Sequence, residues 1–209
     1  MRGKRIEDLI DLPEMTDPDK LAAIRILAKI ASACYLAAPI LFSLVIFKGI
    51  NISVKYGNAS FSSLIYAASG VILCGVLGDI ESGYKFGNLA LSLSQQLNAK
   101  KVKAKVVFVV SYYIKHWLEH ERQTLQPLLL GYSSGLETGD LEYASYSLVM
   151  YSFNSSCIGQ ELAVVEREAA KYSDTIQKLK QERGFHLINL KRQMVRNLMG
   201  QSKNPCRLT

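Results

Sequence analysis

The chain has 209 residues, a formal net charge of +7 and 49% hydrophobic residues. With only five prolines and 14 glycines, this composition excludes a disordered or fibrous chain and allows a sizeable core. The positive charge suggests nucleic acid, but the basic clusters at residues 100–105 and 178–207 lack the interleaved aromatic side chains of nucleic-acid modules. We therefore predict no nucleic-acid partner.

Residues typical of helix starts and helix ends predict four helices in the first half of the chain. Asp17 followed by Pro18 is typical of a helix start, and apolar residues then recur at helical spacing. Pro39 predicts the start of a second helix, which Gly57 ends after Tyr56. A third helix is predicted over about residues 60–77, and Asp79 is expected to cap a fourth that runs through residue 97.

The second half is predicted to hold five more helices. They cover about residues 102–120, 124–137, 140–154, 160–183 and 185–200, with glycines 139, 159 and 184 as breaks. The β-branched run VKAKVVFVV, residues 102–110, is the best strand candidate. We predict a helix there because the apolar pattern continues to Trp117 without interruption.

These helices pair into units that start near residues 18, 59, 102, 140 and 184. A helix-turn-helix period of about 40 residues is typical of an α-solenoid. We therefore predict an all-α fold, an α-solenoid of stacked antiparallel hairpins of the tetratricopeptide-like kind, with about nine helices. Small residues at 67, 68, 70, 75, 83, 87 and 90 are expected where helices approach closely.

Two uncharged stretches, residues 31–47 and 56–78, are long enough to raise the question of a membrane. Pro39 interrupts the first, and the second is rich in serine and glycine, which insertion scales disfavour. We predict buried helices and no membrane span. The polar first twenty residues do not fit a signal peptide, and the four cysteines form no paired motif, so we expect a reducing cytoplasm.

Four longer phrases carry a resemblance to a known family. They are IEDLIDLPEMTDPDKLAAIRIL (6–27), YGNASFSSLIYAASGVILCGVLGDIESGYKFGNLAL (56–91), HWLEHERQTLQPLLLGYSSGLETGDLEYASYS (116–147) and GQSKNPCRL (200–208). The chain resembles the helical, tetratricopeptide-like region of large cyanobacterial signalling proteins. Those proteins join a Ser/Thr kinase, a P-loop ATPase, this helical region, a GAF sensor and a histidine kinase.

The resemblance implies a segment of a much longer chain. We expect one helical-repeat domain over residues 1–209, with an N-terminal segment at 1–16, hairpins at 17–200 and a truncated tail at 201–209. No phosphate loop, H-R-D or D-F-G motif is present, so the enzymatic activities of the family do not transfer to this segment.

The pentapeptide HWLEH matches the H-x-x-E-H pattern of some zinc proteases. That chemistry requires His116 and His120 on one helix face, Glu119 as general base and a third ligand, for which Glu161, Glu166 and Glu168 are candidates. The alternative is a corner between two helices, which the family phrase favours. We predict the corner and no metal site, and keep His116 and His120 as the candidate ligands.

The same stretch admits two further interpretations. His120-Glu121 begins like the phosphoacceptor box of histidine kinases, but the following residues are out of register and no ATP-binding boxes follow. The aromatic residues Tyr112, Tyr113 and Trp117 are candidates for a partner-binding groove, with packing between hairpins as the alternative.

From the sequence we expect no catalytic residues, no cofactor and no small-molecule ligand. The expected role is an interaction and regulatory segment in cytoplasmic signalling. Its expected partners are other proteins or flanking domains of the same polypeptide.

Overall fold

The computed structural model describes residues 5–202, 204 and 205, and this part of the chain is all-α. It contains nine α-helices and no β-strand, only an isolated bridge between Glu14 and Asn58. The all-α prediction is therefore confirmed. The stacking of hairpins along the whole chain as a solenoid stays a prediction. Cys206 and Arg207 lie outside the described residues.

The chain divides into two compact units, Met1–Leu118 and Glu119–Thr209. The helices of the first unit are α1 (Pro18–Ala37), α2 (Pro39–Tyr56), α3 (Ser62–Ile72, continued by a π-helical turn at Leu73–Leu77), α4 (Ile80–Gln96) and α5 (Lys100–Tyr113). Short 3-10 helices occur at Glu7–Asp11 and Lys115–Trp117. The second unit contains α6 (Arg122–Thr138), α7 (Leu141–Cys157), α8 (Leu162–Lys178) and α9 (Glu182–Leu198).

In the first unit, short connections place successive helices antiparallel. α1 pairs with α2 and α3 with α4, as predicted, and α5 packs against α3 and α4. The predicted caps are present: the Asp17 carboxylate accepts hydrogen bonds from the first turn of α1, and Asp79 accepts from the Ser82 amide at 3.1 Å. α3 forms the centre of the core, with ten of its eleven residues buried.

A buried polar network joins the N-terminal segment to the turn after α2. The Asn58 side chain donates to the Leu9 carbonyl at 2.7 Å and accepts from the Tyr66 hydroxyl at 2.9 Å. Its backbone exchanges hydrogen bonds with Pro13 and Met15, each at 2.8 Å. Gly57 has φ +98°, and a Cβ there would lie 2.2 Å from the Pro13 carbonyl oxygen, so both conformation and space require glycine.

In the second unit the hairpins are α6 with α7 and α8 with α9. This corrects the predicted pairing of helices from residues 140 and 160. At Gly135 a Cβ would lie 2.8 Å from the Ala144 Cβ, so glycine lets α6 and α7 approach closely. The buried Asn154 amide also donates to the Thr124 hydroxyl at 2.7 Å and joins the same two helices.

Two predicted helix boundaries were wrong. α5 ends at Tyr113 instead of residue 120, because Ile114 leaves the helical conformation (φ −121°) and is fully buried. α8 ends at Lys178, and Lys180 takes the left-handed conformation (φ 57°) in the turn. Gly184, expected as the break, lies within α9, where its missing side chain leaves room for Ser145.

Candidate functional site

The HWLEH pentapeptide lies in the connection between α5 and α6. His116 and Trp117 belong to the short 3-10 helix Lys115–Trp117, and residues 118–121 are not helical. The helix that would place His116 and His120 one turn apart on a common face is therefore absent. His120 instead lies before α6, where its Nδ1 accepts a hydrogen bond from the Arg122 amide at 3.1 Å. That contact occupies one of its two possible metal-binding nitrogens.

The carboxylates considered as a third zinc ligand do not complete a site either. Glu166 accepts from Arg192 at 3.0 Å and pairs with Arg196 at 2.8 Å. Burial opposes ionisation, but the hydrogen bonds from both guanidinium groups outweigh it and lower the pKa of Glu166. Among the described residues, no group of three or more His, Cys, Asp or Glu side chains is placed to hold a metal ion. The described residues thus give no support to zinc chemistry in this connection.

The aromatic residues proposed as a groove lie at the end of α5, beside the turn between α1 and α2. The ring centroids of Tyr112 and Tyr113 are 4.5 Å apart, and those of Tyr113 and Tyr35 are 5.8 Å apart. Tyr35 also packs edge-on against the buried Phe42 at 5.4 Å. The Trp117 ring lies beside the His116 ring at a tilt of 34°, and 47% of the Trp117 surface is exposed. The structure brings Tyr112 and Tyr113 into one cluster, and their role in binding stays a prediction.

The aromatic cluster continues into an exposed apolar surface on α1 and α2. The stretch 31–47 was predicted to be buried, but Ile40 is 83% exposed and Leu36 is 59% exposed. We call this surface the apolar tip, and its exposed members are Tyr35, Leu36, Ile40, Leu41, Leu44, Phe47, Tyr112, Trp117 and Leu118. α2 is also the one described helix that is long and apolar enough to cross a membrane, and 39% of that segment is buried.

A buried lysine in the second unit was missed by sequence reasoning. Only 2% of Lys191 is exposed; its ammonium donates to the Ser156 hydroxyl and lies 4.8 Å from the centre of the Phe153 ring. Burial lowers its pKa below the ordinary value. The available signal was helical spacing, because Gly184, Ile188 and Val195 share the buried face of α9 with it.

Lys191→Met is expected to raise the free energy of unfolding at neutral pH by about 1–3 kcal/mol, because it removes a buried charge that no carboxylate balances at the described positions. In the native chain the folded-state pKa lies below the unfolded value. Stability should therefore increase as pH rises from the folded-state pKa towards about 10.4. Urea unfolding from pH 7 to 10.5 should show this rise for the native chain and a flatter profile for the variant. A variant less stable than the native chain at pH 7 would contradict this account.

Comparison with known proteins shows a distant likeness. The chain is 24% identical over 156 residues, 74% of its length, to the Hybrid signal transduction histidine kinase G of Dictyostelium discoideum. The match spans 4% of that protein's length. No family model and no solved structure matches the chain. The likeness supports a signal-transduction context.

Proposed function

We propose that this chain is a non-catalytic interaction and regulatory segment of a signal-transduction kinase. The observation that carries this proposal is the 156-residue likeness to a hybrid histidine kinase, combined with the all-α architecture of the described residues. The segment would couple upstream Ser/Thr kinase and ATPase domains to downstream sensor and histidine kinase domains. This finer role rests on the resemblance of the four quoted phrases to the tetratricopeptide-like region of the cyanobacterial signalling proteins.

Its partners would be flanking domains of the same polypeptide, or separate proteins, in the cytoplasm. Packed helices are compatible with this coupling role. A rigid helical element that has two discrete arrangements can couple two sites that are not in contact. A small-molecule ligand is not part of the proposal. The structure adds no support for zinc hydrolysis, because His116 and His120 do not share a helix.

The absence of catalysis can be tested on the purified chain. When the chain is incubated with labelled ATP and Mg²⁺, it should retain no label and release no phosphate above the blank. After dialysis against Zn²⁺ it should hold far less than one zinc ion per chain. Phosphorylation abolished by His120→Ala, or stoichiometric zinc released by His116→Ala, would contradict the proposal.

The coupling role requires the longer protein. The messenger RNA that carries this sequence should encode kinase and sensor domains in the same reading frame. Removal of the segment at its helix boundaries should then leave basal autophosphorylation intact and abolish its response to the signal. An unchanged response would contradict the coupling role, and a reading frame without a kinase would contradict the whole proposal.

A further inference from the structure

The apolar tip lies at one end of the first unit. Ala38 alone connects α1 to α2, so the chain reverses direction there. α3, α4 and α5 follow through short connections, which bring the end of α5 back to the same end of the unit. The 5.8 Å between the Tyr35 and Tyr113 ring centroids confirms this proximity. The tip therefore combines a helical turn with an aromatic cluster.

The charges on the α1 and α2 part of the apolar tip have a single sign. Between Asp19 and Asp79 the chain has no acidic residue but has five basic ones. Residues 31–47 carry no charge, and the exposed Lys29 and Lys48 flank them. Acidic residues lie beyond this part: Asp79 and Glu81 follow the exposed Val76 and Leu77 of the neighbouring α3–α4 turn, which is not included in the tip, and Glu119 follows the tip residue Leu118. The surface is thus complementary to an apolar layer covered by negative charge.

The spacing of the charges fits such a layer. At 1.5 Å per helical residue, Lys29 lies about 10 Å along α1 from Leu36, and Lys48 about 12 Å along α2 from Ile40. Interfacial elements bury their apolar faces about 5–10 Å into the boundary between headgroups and acyl chains. Both ammonium groups would then reach the level of lipid phosphates. Tyrosine and tryptophan, also present here, favour the same interface.

We propose that the apolar tip inserts into the surface of a membrane that contains anionic lipids. It would hold the chain at the membrane without crossing it. A span is disfavoured because Lys48 lies in the middle of α2, while Ile46 and Ile50 are buried in the core of the unit. This inference goes beyond the proposed signalling role and does not depend on it. For this surface, we thus propose lipid as the partner in place of the predicted protein.

Co-sedimentation of the full chain with vesicles tests the inference. Binding should be strong to phosphatidylcholine vesicles with about one third phosphatidylserine, weak to pure phosphatidylcholine, and reversed by high salt. Leu36→Asp should lower the partition coefficient at least tenfold. The matched control is Leu130→Asp on α6, because leucine 130 is 55% exposed and leucine 36 is 59% exposed. The control should bind like the native chain, and circular dichroism should show that both variants fold.

A Lys29→Glu, Lys48→Glu double variant separates charge from apolar contact. It should lose its preference for phosphatidylserine while keeping its helicity. The inference would be overturned if the native chain bound equally to neutral and anionic vesicles, or if its binding resisted carbonate extraction. It would also be overturned if Leu36→Asp and Leu130→Asp lost vesicle binding to the same extent. If the native chain bound no vesicles but formed a dimer that Leu36→Asp dissociated, the tip would instead be an interface with a second copy of the chain.

Discussion

Asn58→Ala is expected to lower the free energy of unfolding of the first unit by about 2–5 kcal/mol. The Asn58 amide satisfies two buried groups, the Leu9 carbonyl and the Tyr66 hydroxyl, whose side chain is fully buried. Alanine would remove the side-chain donor of the Leu9 carbonyl and the amide acceptor of the Tyr66 hydroxyl, and loss of such a buried partner costs about 1–3 kcal/mol for each group. The measurement is urea unfolding followed by circular dichroism at 222 nm.

The matched control is Asn51→Ala, at an exposed position of α2. It should change stability by less than about 0.5 kcal/mol, as surface substitutions usually do. Proteolysis gives a second readout, because loss of the Leu9 hydrogen bond should expose the N-terminal segment to cleavage between residues 5 and 16 in Asn58→Ala only. Equal stability and equal cleavage in the two variants would show that the network does not anchor this segment.

Gly70→Ala is expected to destabilise the first unit by about 1–3 kcal/mol, against the usual preference of helices for alanine. A Cβ at residue 70 would lie 2.8 Å from the Gly83 carbonyl oxygen and 2.5 Å from the Ile114 side chain. The isoleucine can move, but the Gly83 backbone can do so only if α4 shifts. The effect should appear as a lower midpoint of thermal unfolding.

Gly75→Ala is its control within the same continuous helical segment. A Cβ there meets no atom within 4 Å, so the substitution should be neutral or stabilising by up to about 1 kcal/mol. The two glycines were expected to act alike from the sequence, and the structure distinguishes them. If both substitutions have the same effect, the close approach of α3 and α4 is not what requires glycine at residue 70.

The sequence was most informative where one residue determines a local conformation. Pro39 and Gly57 set both ends of α2 correctly, because proline starts helices and the φ of +98° at residue 57 ends one. Gly184 was misassigned because its role is tertiary: it makes room for Ser145 in the neighbouring helix. Glycine required for packing and glycine required for a turn look the same in one sequence.

The candidate site was predicted only in part, for a related reason. The aromatic residues at the end of α5 were visible as a group, and the structure adds Tyr35 from a helix about 75 residues earlier. The stretch 31–47 was expected to be buried because an uncharged helix usually is. Apolar composition cannot show whether a neighbour covers the surface, and here no part of the described chain covers Ile40.

The proposal that the apolar tip inserts into membranes containing anionic lipids can be tested most directly with Trp117, the single tryptophan of the chain. The indole lies in the tip and is about half exposed, so its emission reports the surroundings of that surface. Addition of vesicles containing phosphatidylserine should shift the emission to shorter wavelength in the native chain and in Leu130→Asp, but not in Leu36→Asp. Emission that stays unchanged in the native chain at saturating lipid would contradict the claim.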